Sequence, residues 1–267
     1  MQKQTKNSSR TWILLLVLAL LLSLSGCQEE AHPGLSSQPP EELLPKNDYD
    51  LEAFSEQNGF LTYDDGTRTA NLGVDVSVYQ GQIDWQAVRE AGVEFAIIRL
   101  GYRGYTSGGL YLDDYYLQNI EGAQAAGLQT GVYFFSQAIN EEEAREEAEY
   151  VLQWVDGYDV SLPVFYDWEL TTQEARTAGM DPETVTACAA AFCQTIEEAG
   201  WDAGVYFGQH TGYQLLNLLE LQDYAFWLAE YADTPSFRYQ FTWWQYTESG
   251  TVPGIETPVD LNLRFLE

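Results

Sequence analysis

The sequence predicts an α/β protein built as an irregular TIM-like (β/α) barrel, with about eight strands and fewer helices in its C-terminal part. From Gly73 onward, short apolar segments alternate with segments of helical period, a pattern typical of parallel strands joined by crossover helices. The segment after the first strand, Val76-Ser77-Val78-Tyr79-Gln80-Gly81, is not a glycine-rich phosphate loop, which disfavours an open nucleotide-binding sheet. About eight strands favour a closed barrel.

Apolar and β-branched segments are predicted to form the strands, and segments of 3.6-residue period the helices. The first five strands are expected at residues 73–78, 95–100, 129–135, 162–168 and 203–207. The helices between them are expected at residues 83–91, 113–126, 141–155 and 182–199. Three of these helices end in Ala-Gly, where glycine supplies the left-handed backbone that stops a helix. Short turns link three further strands, which we expect to run partly antiparallel, at residues 226–231, 242–246 and 259–265.

The N-terminus has the features of an export signal. Three basic residues precede residue 11, an apolar run occupies residues 12–22, and Leu24-Ser25-Gly26-Cys27 follows. The run is too short for a membrane-spanning helix and fits the core of a signal peptide. The last four residues resemble a bacterial lipobox, which implies that residues 1–26 are removed and that Cys27 carries lipid. We therefore expect an extracytoplasmic protein, attached to the cell membrane of a bacterium through its lipid alone. A plain signal peptide with an incidental cysteine is the alternative.

Residues 27–70 are predicted to form a flexible tether, and residues 71–267 the folded domain. Between residues 28 and 50 the chain is rich in Glu, Pro, Ser and Gln, a composition that buries too little apolar surface to fold alone. In the folded domain, Cys188 and Cys193 lie on one predicted helix. Their Cα atoms would be roughly 8–9 Å apart, beyond the ~7 Å that a disulfide spans, so we predict two free cysteines in the core.

The formal net charge of -29 argues against several kinds of partner. A strongly negative field repels nucleic-acid phosphates and anionic membrane surfaces, so we expect no nucleic-acid binding. The predicted folded domain contains one histidine, His210, so a metal site built on several imidazoles is not available. A Ser-His-Asp triad would have to use this residue, and the sequence has no Gly-x-Ser-x-Gly elbow. We expect no metal, no cofactor and a monomer.

Asp167 and Glu169 are the first candidates for catalytic chemistry. They flank Trp168 after the apolar run of the fourth predicted strand. Residues two apart on a strand point to the same side, with Cα atoms ~6.6 Å apart. Like charges at that distance raise the pKa of at least one carboxyl group, which keeps it protonated near neutral pH and able to act as a general acid. The C-terminal end of a barrel strand is also where active sites form.

Asp75 and Asp260 form a second pair of candidates. Each interrupts an otherwise apolar strand, and a lone buried carboxylate is costly, so each needs a partner or a function. A hydrogen-bonded structural role is the alternative. In a closed barrel the first and last strands are neighbours, so we expect these two acids to meet on one side of the barrel mouth, across from Asp167 and Glu169.

Four stretches carry a resemblance to a known family. They are Gly73-Val74-Asp75-Val76-Ser77 with Gln80-Gly81 and Ile83-Asp84-Trp85; Ile98-Arg99-Leu100-Gly101-Tyr102; Asp167-Trp168-Glu169; and Trp244-Gln245-Tyr246 with Val252-Pro253-Gly254 and Val259-Asp260-Leu261-Asn262. In this order they resemble the family 25 glycoside hydrolases, lysozymes of the muramidase type, over about residues 71–267. The chain departs from the family at Val78-Tyr79, where His-Trp is common, and at Phe134, where histidine is common.

The resemblance implies hydrolysis of the β-1,4 bond between N-acetylmuramic acid and N-acetylglucosamine in the glycan strands of peptidoglycan. It implies that Glu169 is the proton donor. Asp167 would stabilise the transition state or an oxazolinium-like intermediate, and Asp75 and Asp260 would be further active-site acids. Sugar sites also use aromatic and amide side chains, and we expect substrate contacts from Tyr79, Tyr102, Tyr133, Phe135, Tyr231, Trp244 and Gln245.

Two alternatives stay open at this point. A family 18-like chitinase or endo-N-acetylglucosaminidase also uses Asp-x-Glu at the end of a barrel strand. Such enzymes usually have a longer Asp-rich run, where this chain has Val164-Phe165-Tyr166. A wall-binding module without catalysis is the other alternative, and the presence of all four acids argues against it.

Overall fold

Strands and helices alternate along most of the structure, a computed structural model that describes residues 43–267. In chain order the strands are β1 (Phe54–Gln57), β2 (Phe60–Tyr63), β3 (Thr69–Val76), β4 (Phe95–Arg103), β5 (Leu110–Leu112), β6 (Gln129–Phe135), β7 (Val160–Asp167), β8 (Ala203–Gly208), β9 (Ala225–Ala229), β10 (Trp243–Gly250) and β11 (Val259–Leu266). The α-helices are α1 (Trp85–Glu90), α2 (Tyr116–Ala125), α3 (Glu141–Val155), α4 (Pro182–Glu198) and α5 (Gln209–Gln214).

Eight of the strands close into a barrel, in the order β3, β4, β6, β7, β8, β9, β10 and β11. Neighbours from β3 through β10 are parallel. Strand β11 is antiparallel to both of its neighbours, β10 and β3, and β5 forms a hairpin with β4. The prediction of a closed barrel of about eight strands, partly antiparallel near its C-terminal end, is confirmed.

The helices cover only part of the barrel. Helix α2 packs on β4 and β6, and α4 packs on β7, β8 and α3. Asp181 caps α4, its side chain accepting a hydrogen bond from the backbone nitrogen of Thr184. The same helix buries Cys188 and Cys193 as free thiols, as predicted. No α-helix follows α5 up to residue 267, so the outer faces of β10 and β11 need another cover.

Residues 44–63 supply that cover. The ring of Tyr49 stacks on Phe265 of β11 with centroids 3.9 Å apart. The ring of Phe54 meets the edge of Trp244 on β10 at 5.5 Å. These rings exclude water from a sheet face that a crossover helix covers elsewhere in the barrel.

The predicted boundary of the tether at residue 70 is therefore wrong. Backbone hydrogen bonds join Asn47 to Arg238 and Gln240 to Pro45, and β1 and β2 form an antiparallel hairpin. The prediction relied on the polar composition of this segment. A few well-spaced aromatic residues are nevertheless enough to anchor the segment on the barrel. Residues 27–42 and the predicted signal peptide, with Cys27 at its end, lie outside the described residues. Within residues 43–267, no helix has the length and apolar character needed to span a membrane.

Replacing Tyr49 by alanine tests whether this segment belongs to the fold. We expect Tyr49→Ala to lower the free energy of unfolding by about 2 kcal/mol, because it removes a ring stacked on the barrel. Leu51→Ala is the control, since Leu51 lies in the same segment with half of its surface exposed, and should change the stability by less than about 0.5 kcal/mol. Urea unfolding measures both. Equal, small effects would mean that the segment is a tether after all.

Candidate active site

Four acidic side chains meet at the mouth of the barrel, where the parallel strands end. Asp75 near the end of β3 and Asp260 near the start of β11 are direct cross-strand partners, so the predicted meeting of these two acids is confirmed. Asp167 ends β7, and Glu169 follows two residues later. All four line one cleft of about 770 Å³.

The period of the strands explains why these acids face inward. On β3, the neighbours of Asp75 are fully buried valines that belong to the apolar core. Asp75 and Asp167 are only 4% and 3% exposed, whereas Glu169 is exposed to the cleft. Glu169 is therefore the carboxyl group that a bound molecule reaches first, with Asp167 beneath it.

Asp167 and Glu169 act as a coupled pair. Burial and the negative charges of Glu169 and Asp75 raise the pKa of Asp167 well above its ordinary value. Burial and the charge of Asp75 also raise the pKa of Glu169, while a hydrogen bond from Asp167 lowers it. The Oδ1 atom of Asp167 is buried and has no hydrogen-bond partner among residues 43–267. The pair therefore holds a proton at a pH where isolated carboxyl groups have lost theirs.

Asp75 and Asp260 differ in how their charges are stabilised. Burial raises the pKa of Asp75 to about 6, although hydrogen bonds from Asn262 and Gln245 to its carboxylate oppose that rise. Burial and the charges of Asp75 and Glu248 raise the pKa of Asp260 to about 8. At neutral pH the proton of this pair lies on Asp260.

Arg99, in the middle of β4, supplies the positive charge of the cleft. Its guanidinium forms an ion pair with the buried carboxylate of Asp113 at 2.7 Å. It also lies against the rings of Tyr79 and Tyr102, at 5.1 and 5.6 Å from their centroids. Its charge lowers the pKa of Asp167 and so favours the ionised form of that acid. Arg99 lies in one of the matching sequence stretches, but sequence reasoning assigned it no role.

Most of the predicted substrate-contact residues line the site. The side chains of Tyr79, Tyr102, Tyr133 and Phe135 lie on the walls of the cleft. Tyr231 and Gln245 line an adjoining recess of about 230 Å³, which the four acids share. Sequence reasoning missed several residues that also line the cleft or the recess, namely Tyr105, Tyr206, Trp227 and Glu248.

Trp244 does not belong to the site, and its assignment as a substrate contact is wrong. Its ring is fully buried on the outer side of β10, and its indole nitrogen donates to the carbonyl of Glu230. Alternation along β10 points Trp243 and Gln245 into the barrel and Trp244 out of it. Phe134 points outward from β6 for the same reason and packs near Tyr150, so this departure from the family pattern does not reach the cleft.

Comparison with known proteins agrees with this architecture. Residues 74–255 match the profile described as "Glycosyl hydrolases family 25". The chain belongs to glycoside hydrolase family 25. The four acids therefore stand at the mouth of a family 25 barrel.

Individual relatives extend the comparison. The autolytic lysozyme of Clostridium acetobutylicum is 29% identical over 192 residues, which are 71% of this chain and 54% of that enzyme. The family 25 chain thus spans about half the length of this relative. The bacterial lysozyme of Streptomyces coelicolor superposes with a TM-score of 0.58 at 26% identity, covering 72% of this chain and 90% of that one. The autolysin LytC of Streptococcus pneumoniae, solved with a synthetic peptidoglycan ligand, has the same fold with a TM-score of 0.67 at 24% identity, covering 80% of this chain and 52% of that one.

The raised pKa of Asp260 predicts that ionisation of this acid lowers the stability of the folded protein. A carboxyl group whose pKa is raised to about 8 on folding binds its proton more tightly in the folded state. It therefore destabilises the fold as the pH rises from about 4 towards 8. Asp260→Asn removes that loss. We expect its gain in melting temperature to be larger at pH 8 than at about pH 5 by about 2–4 °C, equivalent to about 1 kcal/mol after allowance for solvent screening.

Glu256→Gln is the matched control for this measurement. It removes one negative charge from an exposed position on the loop before β11, so it reports the general effect of net charge. Scanning calorimetry at both pH values measures each variant. A gain for Asp260→Asn that is no larger at pH 8 than at pH 5, or one that Glu256→Gln reproduces, would contradict the assignment of the proton to Asp260.

Proposed function

We propose that this enzyme is an N-acetylmuramidase, which hydrolyses the β-1,4 bond between N-acetylmuramic acid and N-acetylglucosamine in peptidoglycan. The observation that supports it most is the pair formed by the accessible Glu169 and the buried Asp167, which retains a proton in a sugar-sized cleft. The names of the clostridial and Streptomyces relatives, both lysozymes, point the same way, as does the peptidoglycan ligand of the pneumococcal autolysin.

Glu169 would act as the general acid. It donates its proton to the glycosidic oxygen while the bond from that oxygen to the sugar carbon breaks, and the departing sugar leaves with a new hydroxyl group. In the reactive state the proton of the pair lies on Glu169 and Asp167 is ionised, a distribution that the charge of Arg99 favours. Glu169, now ionised, then takes a proton from the water that completes hydrolysis.

Asp167 would stabilise the positive charge that the breaking bond leaves behind. That charge develops either on the sugar ring or on an oxazolinium ring formed by the 2-acetamido group of the substrate, a recognised exception to the scheme with two catalytic carboxylates. Asp75 and Asp260 would orient the acetamido group or the attacking water from the other side of the cleft.

Glu169→Gln tests the general acid. Glutamine keeps the size of the side chain and cannot donate an acidic proton, so we expect kcat to fall by about 10²–10⁴-fold. Glu174→Gln is the control, because Glu174 is an exposed acid on the loop that follows, and it should leave kcat unchanged. Release of reducing ends from purified peptidoglycan measures both. A Glu169→Gln enzyme that keeps more than about a tenth of the normal rate would exclude Glu169 as the acid.

The bond itself is identified by its products. Mass analysis of fragments released from defined peptidoglycan should show new reducing ends on N-acetylmuramic acid. Chitin oligomers serve as the competing substrate. Cleavage of chitin in preference to peptidoglycan would favour the chitinase-like alternative.

We also propose that the protein is exported and attached to the cell membrane through lipid on Cys27, and that it acts as a monomer. The support is the lipobox-like sequence Leu24-Ser25-Gly26-Cys27 after an apolar run. In a bacterium expressing the full chain, we expect Cys27→Ser to move the protein from the membrane fraction to the soluble extracytoplasmic fraction. Ser25→Thr controls for expression. Membrane association that survives Cys27→Ser would refute lipid attachment.

A further inference from the structure

Asp75 is held by two amide side chains. Its Oδ2 atom accepts hydrogen bonds from Nε2 of Gln245 at 2.9 Å and from Nδ2 of Asn262 at 2.8 Å. An amide side chain has one donor end and one acceptor end. The end that faces Asp75 therefore decides whether the carboxylate is stabilised or repelled.

Trp227, on β9, determines which end Asn262 presents. The indole Nε1–H of Trp227 donates to Oδ1 of Asn262 at 2.8 Å, and an indole N–H can only donate. The oxygen of Asn262 must therefore face Trp227, and its nitrogen must face Asp75. Asn262 is fully buried and Trp227 is 1% exposed, so solvent does not compete for either bond.

Two tyrosines act on Gln245 in a similar way. The hydroxyl groups of Tyr206 and Tyr231 both donate to Oε1 of Gln245, at 3.0 and 3.1 Å. This leaves Nε2 to face Asp75. A phenol can also accept a hydrogen bond, so these two contacts constrain their amide less strictly than the indole constrains Asn262.

We propose that Trp227 is a positioning residue that acts through Asn262 to keep Asp75 ionised, so that the charge of Asp75 retains the proton of the Asp167–Glu169 pair. Of the two acids on the adjoining strands β3 and β11, only Asp75 receives both amide donors. The proposal rests on the muramidase function for its effect on activity, while the ionisation of Asp75 is independent of that function.

The charges around Asp75 make the hydrogen bonds from Gln245 and Asn262 important for keeping it ionised. The titratable and charged groups that line the cleft and recess around it are Tyr79, Arg99, Tyr102, Tyr105, Asp113, Asp114, Tyr133, Asp167, Glu169, Tyr206, Tyr231, Glu248 and Asp260. Six of them are acids, and the guanidinium of Arg99 is already paired with Asp113. The two neutral amide donors, together with a hydrogen bond from the protonated Asp260, therefore stabilise the Asp75 anion.

Loss of the indole N–H of Trp227 is expected to raise the pKa of Asp75. Asn262 could then turn its oxygen towards Asp75, which would favour the protonated form of that acid. A neutral Asp75 no longer raises the pKa of Glu169, although its charge does so in the native enzyme. Glu169 would then lose its proton at a lower pH, and activity would disappear at a lower pH.

Trp227→Phe tests this, with Trp243→Phe as the matched control. Trp243 lies in the same buried cluster of rings, where it packs against Phe95 and Phe165, so its replacement makes a similar loss of volume. One measurement is the titration of the Asp75 carboxyl carbon by NMR, assigned with Asp75→Asn. The other is the pH profile of kcat/KM on soluble peptidoglycan fragments.

We expect Trp227→Phe to raise the titration midpoint of Asp75 by about one pH unit, because a hydrogen bond to a charged group contributes a free energy equivalent to about one pKa unit. The alkaline limit of kcat/KM should move to lower pH by a similar amount. Trp243→Phe should leave both unchanged. Asn262→Leu should produce the same shifts, and the Trp227→Phe/Asn262→Leu double variant should go no further than Asn262→Leu alone.

An unchanged midpoint in Trp227→Phe, or an equal shift in Trp243→Phe, would overturn the proposal. If Trp227→Phe does not fold, Asn262→Leu carries the test, and an unchanged midpoint there has the same consequence. The NMR titration needs no substrate. It therefore decides the role of Trp227 even if Glu169→Gln shows that the proposed catalysis does not occur.

Discussion

The crowding of four carboxyl groups into one cleft is the constraint on which the rest of the site depends. Burial and mutual repulsion prevent Asp75, Asp167, Glu169 and Asp260 from all being ionised near neutral pH. Protons must stay in the cavity, and hydrogen bonds decide where they lie. The amide donors favour the Asp75 anion, Asp260 takes a proton, and the Asp167–Glu169 pair retains another. An acid able to protonate a leaving group thus follows from charge crowding.

The fold maintains that crowding by closing the barrel with an antiparallel strand. Strand β11 pairs with β10 and β3, and it carries both Asp260 and Asn262. A short connection replaces the crossover helix at this point, which leaves the outer faces of β10 and β11 without a helix. The rings of Tyr49 and Phe54 fill that place. The N-terminal segment therefore supports, from outside, the strands that hold the acids inside.

Much of the barrel and the position of the acids could be predicted from the sequence, because both follow from local patterns. Strand and helix periods set the elements, and a carboxylate within an apolar strand is conspicuous. Contacts between distant strands could not be predicted in this way, and the bond from Trp227 to Asn262, which joins β9 to β11, is an example. The outward position of Trp244 could have been predicted, because strict alternation from Gln245 places Trp244 on the other face of β10.

The pairing of Asp75 with Asp260 has a consequence for biosynthesis. One acid lies on the first strand of the barrel and the other on the last, with more than half of the chain between them. During translation, the earlier acids emerge well before the strand that completes their cavity. A nascent chain therefore lacks one wall of the acidic cleft until β11 has been made and docked. The topology thus makes this cleft one of the last features of the barrel to be completed.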